Sequence, residues 1–224
     1  EPKLAFNIME LTRKGKVAKN GFPEGAEEAM REHDVPEWYM DSCRKIKYMF
    51  PKAHAVAYLI AAIRLMWFKV YHPQAFYAVW FTVRGDDIDY EAAVGGKDVA
   101  MRHLKEINAR LREERKAKDE DIQVSLQLVN EMLQRGYEFL PICLGKSRAT
   151  KYVLEDDKVR LPYASLKGVG ESAAIALEKA AEQGGYLSVE ELQNMSGVSS
   201  AVMETLRQAG ALGDLPDSNQ LSFF

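Results

Sequence analysis

Cysteine is almost missing from this sequence: Cys43 and Cys143 stand alone in 224 residues and no pair shows a two-residue spacing. That excludes a disulfide-stapled scaffold and any cysteine-based zinc knuckle, and predicts two reduced thiols. Four histidines (His33, His54, His72 and His103) show no ligand pattern, so no metal site is expected within the chain. Long apolar runs are also lacking. The longest, residues 55–63, is half of what a membrane span needs before Arg64 interrupts it. No secretory leader, membrane partner or extracellular destination is expected. No low-complexity tract occurs. Neither sign of charge dominates, with 30 Lys and Arg against 33 Asp and Glu. Total charge therefore gives no argument for a nucleic-acid partner. Its distribution is uneven: residues 1–155 carry a net of +2 and residues 156–224 a net of −5. A basic front with an acidic back is compatible with DNA binding without requiring it.

The rest is ordinary for a folded domain, at 47% hydrophobic and 28% charged residues. The length suits one large domain or two small ones. The first residue is Glu1, inside an amphipathic stretch, so the chain reads as a piece of something larger. Leu4, Ile8 and Leu11 share a helical face. Further helices are expected over 24–32 and 36–48, with Pro36 at a first helical position. Residues 52–71 are small or aliphatic on most sides and predict a buried helix of about five turns. His72-Pro73 ends it, and 74–83 continues as a packed helix. The Gly- and Asp-rich stretch 84–97 reads as a linker. Leu104, Ile107 and Leu111 mark one exposed helix, and Ile122, Leu126, Val129 and Leu133 mark the next, closed by Gly136. Residues 139–142 and 150–161 read as short strands, the latter a hairpin turning at Asp156-Asp157. From 165 to 212 the chain is helical in short units, and 213–224 reads as a flexible tail. The fold class is mainly α with a small β component.

Three stretches carry candidate chemistry. Lys167-Gly168-Val169-Gly170 joins an apolar lead-in to a helix beginning at Glu171. Two glycines around one aliphatic residue suit a tight hairpin with positive φ, in which backbone N–H groups at a helix N-terminus meet a phosphate. Val169 would point inward. With Ser172 on the following helix, this is the pattern of a helix-hairpin-helix, which grips DNA phosphates without reading sequence. A plain glycine turn between helices fits the same residues. About thirty positions on, Gly197-Val198-Ser199 repeats the shape with Ser199 in place of the second glycine. That copy serves either DNA or packing alone. Second, Lys52 opens the 52–71 helix, with His54 and Tyr58 four apart and Arg44, Lys45 and Lys47 just upstream. A cation at a positive helix mouth suits an anionic ligand such as a triphosphate. A core helix with a snorkelling lysine is the competing reading. Third, Gln220, Leu221, Phe223 and Phe224 put spaced apolar side chains after a polar lead, as in peptides that dock in a preformed pocket.

The run from Tyr48 through Phe50-Pro51-Lys52-Ala53-His54-Ala55-Val56-Ala57-Tyr58 to His72-Pro73-Gln74-Ala75-Phe76 resembles the fingers of bacterial C-family replicative polymerases. These are the alpha subunits of DNA polymerase III, and the variant here is similar to the PolC type of low-GC Gram-positive bacteria. The resemblance extends through Leu166-Lys167-Gly168-Val169-Gly170-Glu171 to the last residue. It implies fingers over 1–138, a duplex-binding helix-hairpin-helix pair over 139–212, and a tail over 213–224 bearing a sliding-clamp motif. Phe223 stands there where leucine is more usual. It implies DNA-directed DNA polymerase activity of the parent protein, with dNTP, primer-template DNA, the sliding clamp and the rest of the replisome as partners. A cytoplasmic, nucleoid-associated location goes with that reading. The catalytic aspartates and their magnesium ions would lie outside this chain, since Asp86, Asp87 and Asp89 follow the 48–76 run and read as solvating a turn of the linker. The alternative is a non-catalytic helix-hairpin-helix adaptor that recruits the clamp, which would have no use for residues 52–78.

Overall fold

The computed structural model describes residues 1–219, in which short helices dominate and one three-stranded sheet is the β component. Two compact units divide at Arg64/Leu65.

Unit 1, Glu1–Arg64, holds α1 (Pro2–Arg13), α2 (Lys16–Asn20), α3 (Ala26–Glu32), α4 (Glu37–Lys45) and the first part of α5 (Lys52–Tyr71). The periodicity of Leu4 and Ile8 is realised: both pack with Ala26, Met30 and Met40 in a small core closed by Phe22 and Val35. Pro36 caps α4 from outside instead of occupying its first turn. The segment leading into α5 is tied back by Met49 N–H donating to Arg13 O at 2.9 Å.

Unit 2 begins with the end of α5 and continues with α6 (Pro73–Arg84), α7 (Tyr90–Gly95), α8 (Lys97–Glu113) and α9 (Ala117–Gln134). Then come β1 (Phe139–Leu140), β2 (Val153–Glu155) and β3 (Lys158–Arg160), followed by α10 (Glu171–Gln183), α11 (Val189–Ser196) and α12 (Ser200–Gln208). The sheet order is β1-β3-β2, with β1 parallel and β2 antiparallel to β3. Asp156 and Asp157 both take left-handed φ (50° and 62°), the two-residue turn that matches strand twist. One continuous core runs from Tyr77 to Leu212. Phe81 joins its parts, its ring 5.3 Å from that of Phe139 and 5.6 Å from that of Tyr152. The expected boundary at 138/139 therefore cuts through a packed core, and the observed one lies within α5.

Three further expectations are corrected. Residues 84–97 are no linker: Asp89 accepts the Ala92 N–H at 2.9 Å and starts α7, which buries Ala92 and Ala93. Asp in a polar stretch was read as a turn former, whereas here it is a helix N-cap. The helix over 52–71 exists with the expected ends, but none of its residues is buried. By length and composition it is also long and apolar enough to cross a membrane. The tail is held as far as Asn219. Val189 and Glu190 donate their N–H groups to Pro216 O and Asp217 O, at 2.8 and 3.1 Å, and Arg207 pairs with Asp217. The first amides of a helix have no partner within it, so a returning strap satisfies them. Gln220, Leu221, Phe223 and Phe224 lie outside the described residues.

Candidate nucleic-acid interface

The apolar lead-in to the glycine hairpin is a single 3-10 turn, Tyr163–Ser165. Val169 N–H donates to Leu166 O at 3.0 Å, and Gly168 between them has φ +94°. This is a type II turn, whose third residue needs positive φ and hence glycine. Leu166 and Val169 are buried, while Lys167, Gly168 and Gly170 face outward. Gly170 itself has ordinary extended geometry, φ −73° and ψ 163°, contrary to the expectation of positive φ at both glycines. It caps α10 with its carbonyl alone, accepting from Ala174 N–H at 2.9 Å, and supplies no side-chain oxygen. The amides of Glu171, Ser172 and Ala173 are thus left to an outside acceptor. Nothing stands within 4 Å of where a Cβ would sit on Gly168 or Gly170, so the approach is open. Lys167 has no ion-pair partner among the described residues and stands beside it, as does the exposed Ser172.

The second hairpin repeats the backbone but not the chemistry. Gly197 closes α11 at φ +67°, Val198 is buried, and Ser199 takes the place of Gly170 before α12. Its hydroxyl accepts the Val202 N–H at 3.4 Å. An oxygen of the chain therefore already occupies the place an anion would take. Val202, Met203 and Leu206 bury the inner face of α12 in the common core. This copy packs into the common core, with Gly197 and Ser199 in its turn.

Around the mouth of α5 the candidates separate. The rings of Phe50, His54 and Tyr58 form a triangle with centroids 5.3, 5.8 and 6.1 Å apart, and Tyr48 lies 6.3 Å from Phe50. Phe50 was absent from the sequence candidates, although its place four residues before His54 is a helical spacing. Lys52 opens the helix with no acidic residue in the first turn. At about 100° per residue, however, it stands roughly 160° around the axis from His54. Arg44 is withdrawn from ligand binding. Its guanidinium meets Glu27, Asp41 and Glu37 at 2.9, 2.8 and 3.2 Å and lies over the Phe22 ring. The carboxylates, Glu27 foremost, push its pKa above the usual arginine value. It fastens α3 to α4. Lys45 and Lys47 remain exposed, without ion-pair partners among the described residues.

Among the described residues no group of three metal-binding side chains converges. Cys43 and Cys143 are free thiols. Asp89 is engaged as the cap of α7 and lies 2.6 Å from His103 Nδ1.

A family model described as a helix-hairpin-helix motif matches residues 136–221. Proteins called DNA polymerase III PolC-type match all 224 residues. That of Caldanaerobacter subterraneus subsp. tengcongensis is 45% identical, that of Bacillus cereus 45% and that of Bacillus subtilis 43%. The chain spans 16%, 15% and 15% of those proteins' lengths.

Proposed function

We propose, from the premise that this chain corresponds along its whole length to one stretch of a PolC-type DNA polymerase III, that it holds primer-template DNA and nucleotide for a replicative DNA-directed DNA polymerase. Residues 167–173 grip duplex phosphates through the free amides of α10, Lys167 and Ser172. The Phe50–His54–Tyr58 face takes the incoming dNTP, an aromatic surface against its base and Lys45 and Lys47 nearby for charge. The last residues, Gln220, Leu221, Phe223 and Phe224, dock on the sliding clamp. The magnesium ions of the reaction belong to residues outside this chain, and the enzyme works in the cytoplasm with the rest of the replisome.

The observation that carries this reading is the uncapped N-terminus of α10 behind an open glycine hairpin, beside a second hairpin whose N-terminus is capped by Ser199. The test is made in the full-length polymerase with Gly170→Val. The native φ and ψ suit valine and the space is empty, so the variant folds, and its side chain stands where the phosphate approaches. Duplex affinity is expected to fall about ten-fold, the scale of one charge-assisted hydrogen bond, equally for all sequences. Ser199→Thr, which keeps the capping oxygen of α12, serves as the control and leaves affinity unchanged. Parental affinity of Gly170→Val at every salt concentration would reduce the hairpin to a structural turn.

A further inference from the structure

The 20 residues of α5 carry only three charges, Lys52, Arg64 and Lys69, and no side chain on it is buried. Successive residues advance by about 100°, which sets Ile60, Phe68 and Tyr71 between two further faces. One carries His54 and Tyr58. On the opposite side Val56, Leu59, Ile63, Met66, Trp67 and Val70 form a stripe at spacings of three and four, from 49% to 65% exposed. That is the pattern by which one helix packs along another. Arg64 flanks the stripe and has no ion-pair partner among the described residues. Lys69, by contrast, is pinned to Glu131 at 2.8 Å, and Arg135 donates to the Lys69 carbonyl at 3.2 Å.

We infer that this stripe is an interface for the remainder of the polymerase chain, which lays an apolar helix along Val56–Val70 and sets a carboxylate against Arg64. The 224 residues account for 15% of the length of the matching Bacillus proteins, so most of such a chain is available to cover it. A lipid bilayer is the less suitable occupant. It would take in the charge of Arg64 without a partner, and the end of α5 is fixed to protein by Lys69 and Arg135. The inference rests on the polymerase reading above.

The test is hydroxyl-radical footprinting of the unmodified full-length polymerase, read at Met66 and Trp67 by peptide mass spectrometry against the same chain in urea. Protection of both by about ten-fold or more is expected, as for groups exposed only on local opening. A second arm labels Ile63→Cys with a maleimide, using Lys118→Cys as an exposed reference, and expects a similar ratio. Met66 and Trp67 as reactive in the native enzyme as in urea would overturn the inference. So would protection that appears only when phosphatidylglycerol vesicles are added. Template-dependent synthesis by the same preparation separates the two readings. Active enzyme with a reactive stripe defeats the interface alone, and a chain without synthesis defeats the polymerase reading beneath it.

Discussion

Lys52 and His54 are two residues apart in sequence and nearly opposite on α5, and that angle decides how they act. If the His54–Tyr58 face holds the nucleotide, Lys52 contributes from another side, through the positive helix mouth and not through the same contact. Each alanine variant of the full-length enzyme is expected to lower kcat/KM for the nucleotide, His54→Ala more than Lys52→Ala. The double variant is expected to be additive within about 0.5 kcal/mol, as for groups without a shared partner. A coupling well above that in steady-state kinetics would place both on one phosphate. The two glycine hairpins were legible in the sequence because a positive φ leaves glycine as its trace, at Gly168 and again at Gly197. The capture of Arg44 was not, because its shortest contact outside its own helix is to Glu27, a residue brought near only by the packing of α3 on α4.

The β2–β3 hairpin depends on one carboxylate. Glu155 receives Lys146 at 2.7 Å and Arg160 at 2.6 Å, and the guanidinium of Arg160 also donates to Pro141 O at 2.6 Å. Lys146 first, and Arg160 second, hold the Glu155 pKa below its ordinary value. A depressed carboxylate adds stability above its unfolded pKa and loses it as pH falls through the folded one. The parent is therefore expected to weaken below about pH 4.5, the ordinary glutamate value. Glu155→Gln should lower the melting temperature at pH 7 and flatten that acid dependence, as read by calorimetry of the full-length protein. An unchanged acid limb would assign the loss to other groups. Among elements, the helices and this hairpin were readable from periodicity and from Asp156-Asp157. The stretch 84–97 was not, since a six-residue helix is too short to show a period and its buried alanines look like loop residues. The burial of α5 followed from its composition, yet nothing in the described residues supplies it.

At the scale of the molecule, the chain does not leave its last helix freely. The strap from Pro216 to Asn219 closes the N-terminus of α11, where the Ser188 hydroxyl accepts the Glu191 N–H, the Glu191 carboxylate accepts the Leu187 N–H, and Asn219 adds a bond to Glu191 at 2.5 Å. Two truncations of the full-length polymerase separate structure from docking. Ending the chain at Asn219 is expected to leave the amide exchange of Val189 and Glu190 unchanged and to shorten products in clamp-dependent synthesis on a long primed template. Ending it at Leu215 should also speed those two amides about ten-fold, the loss of one ordinary hydrogen bond each. Full product length from the first truncation would move the clamp contact elsewhere. The strap also sets a ruler. With Asn219 fixed, five residues extended at about 3.4 Å each can stretch no more than roughly 17 Å. Whatever Phe223 and Phe224 engage must come that close to α11, so a ring around the duplex would have to ride almost against the helix-hairpin-helix unit.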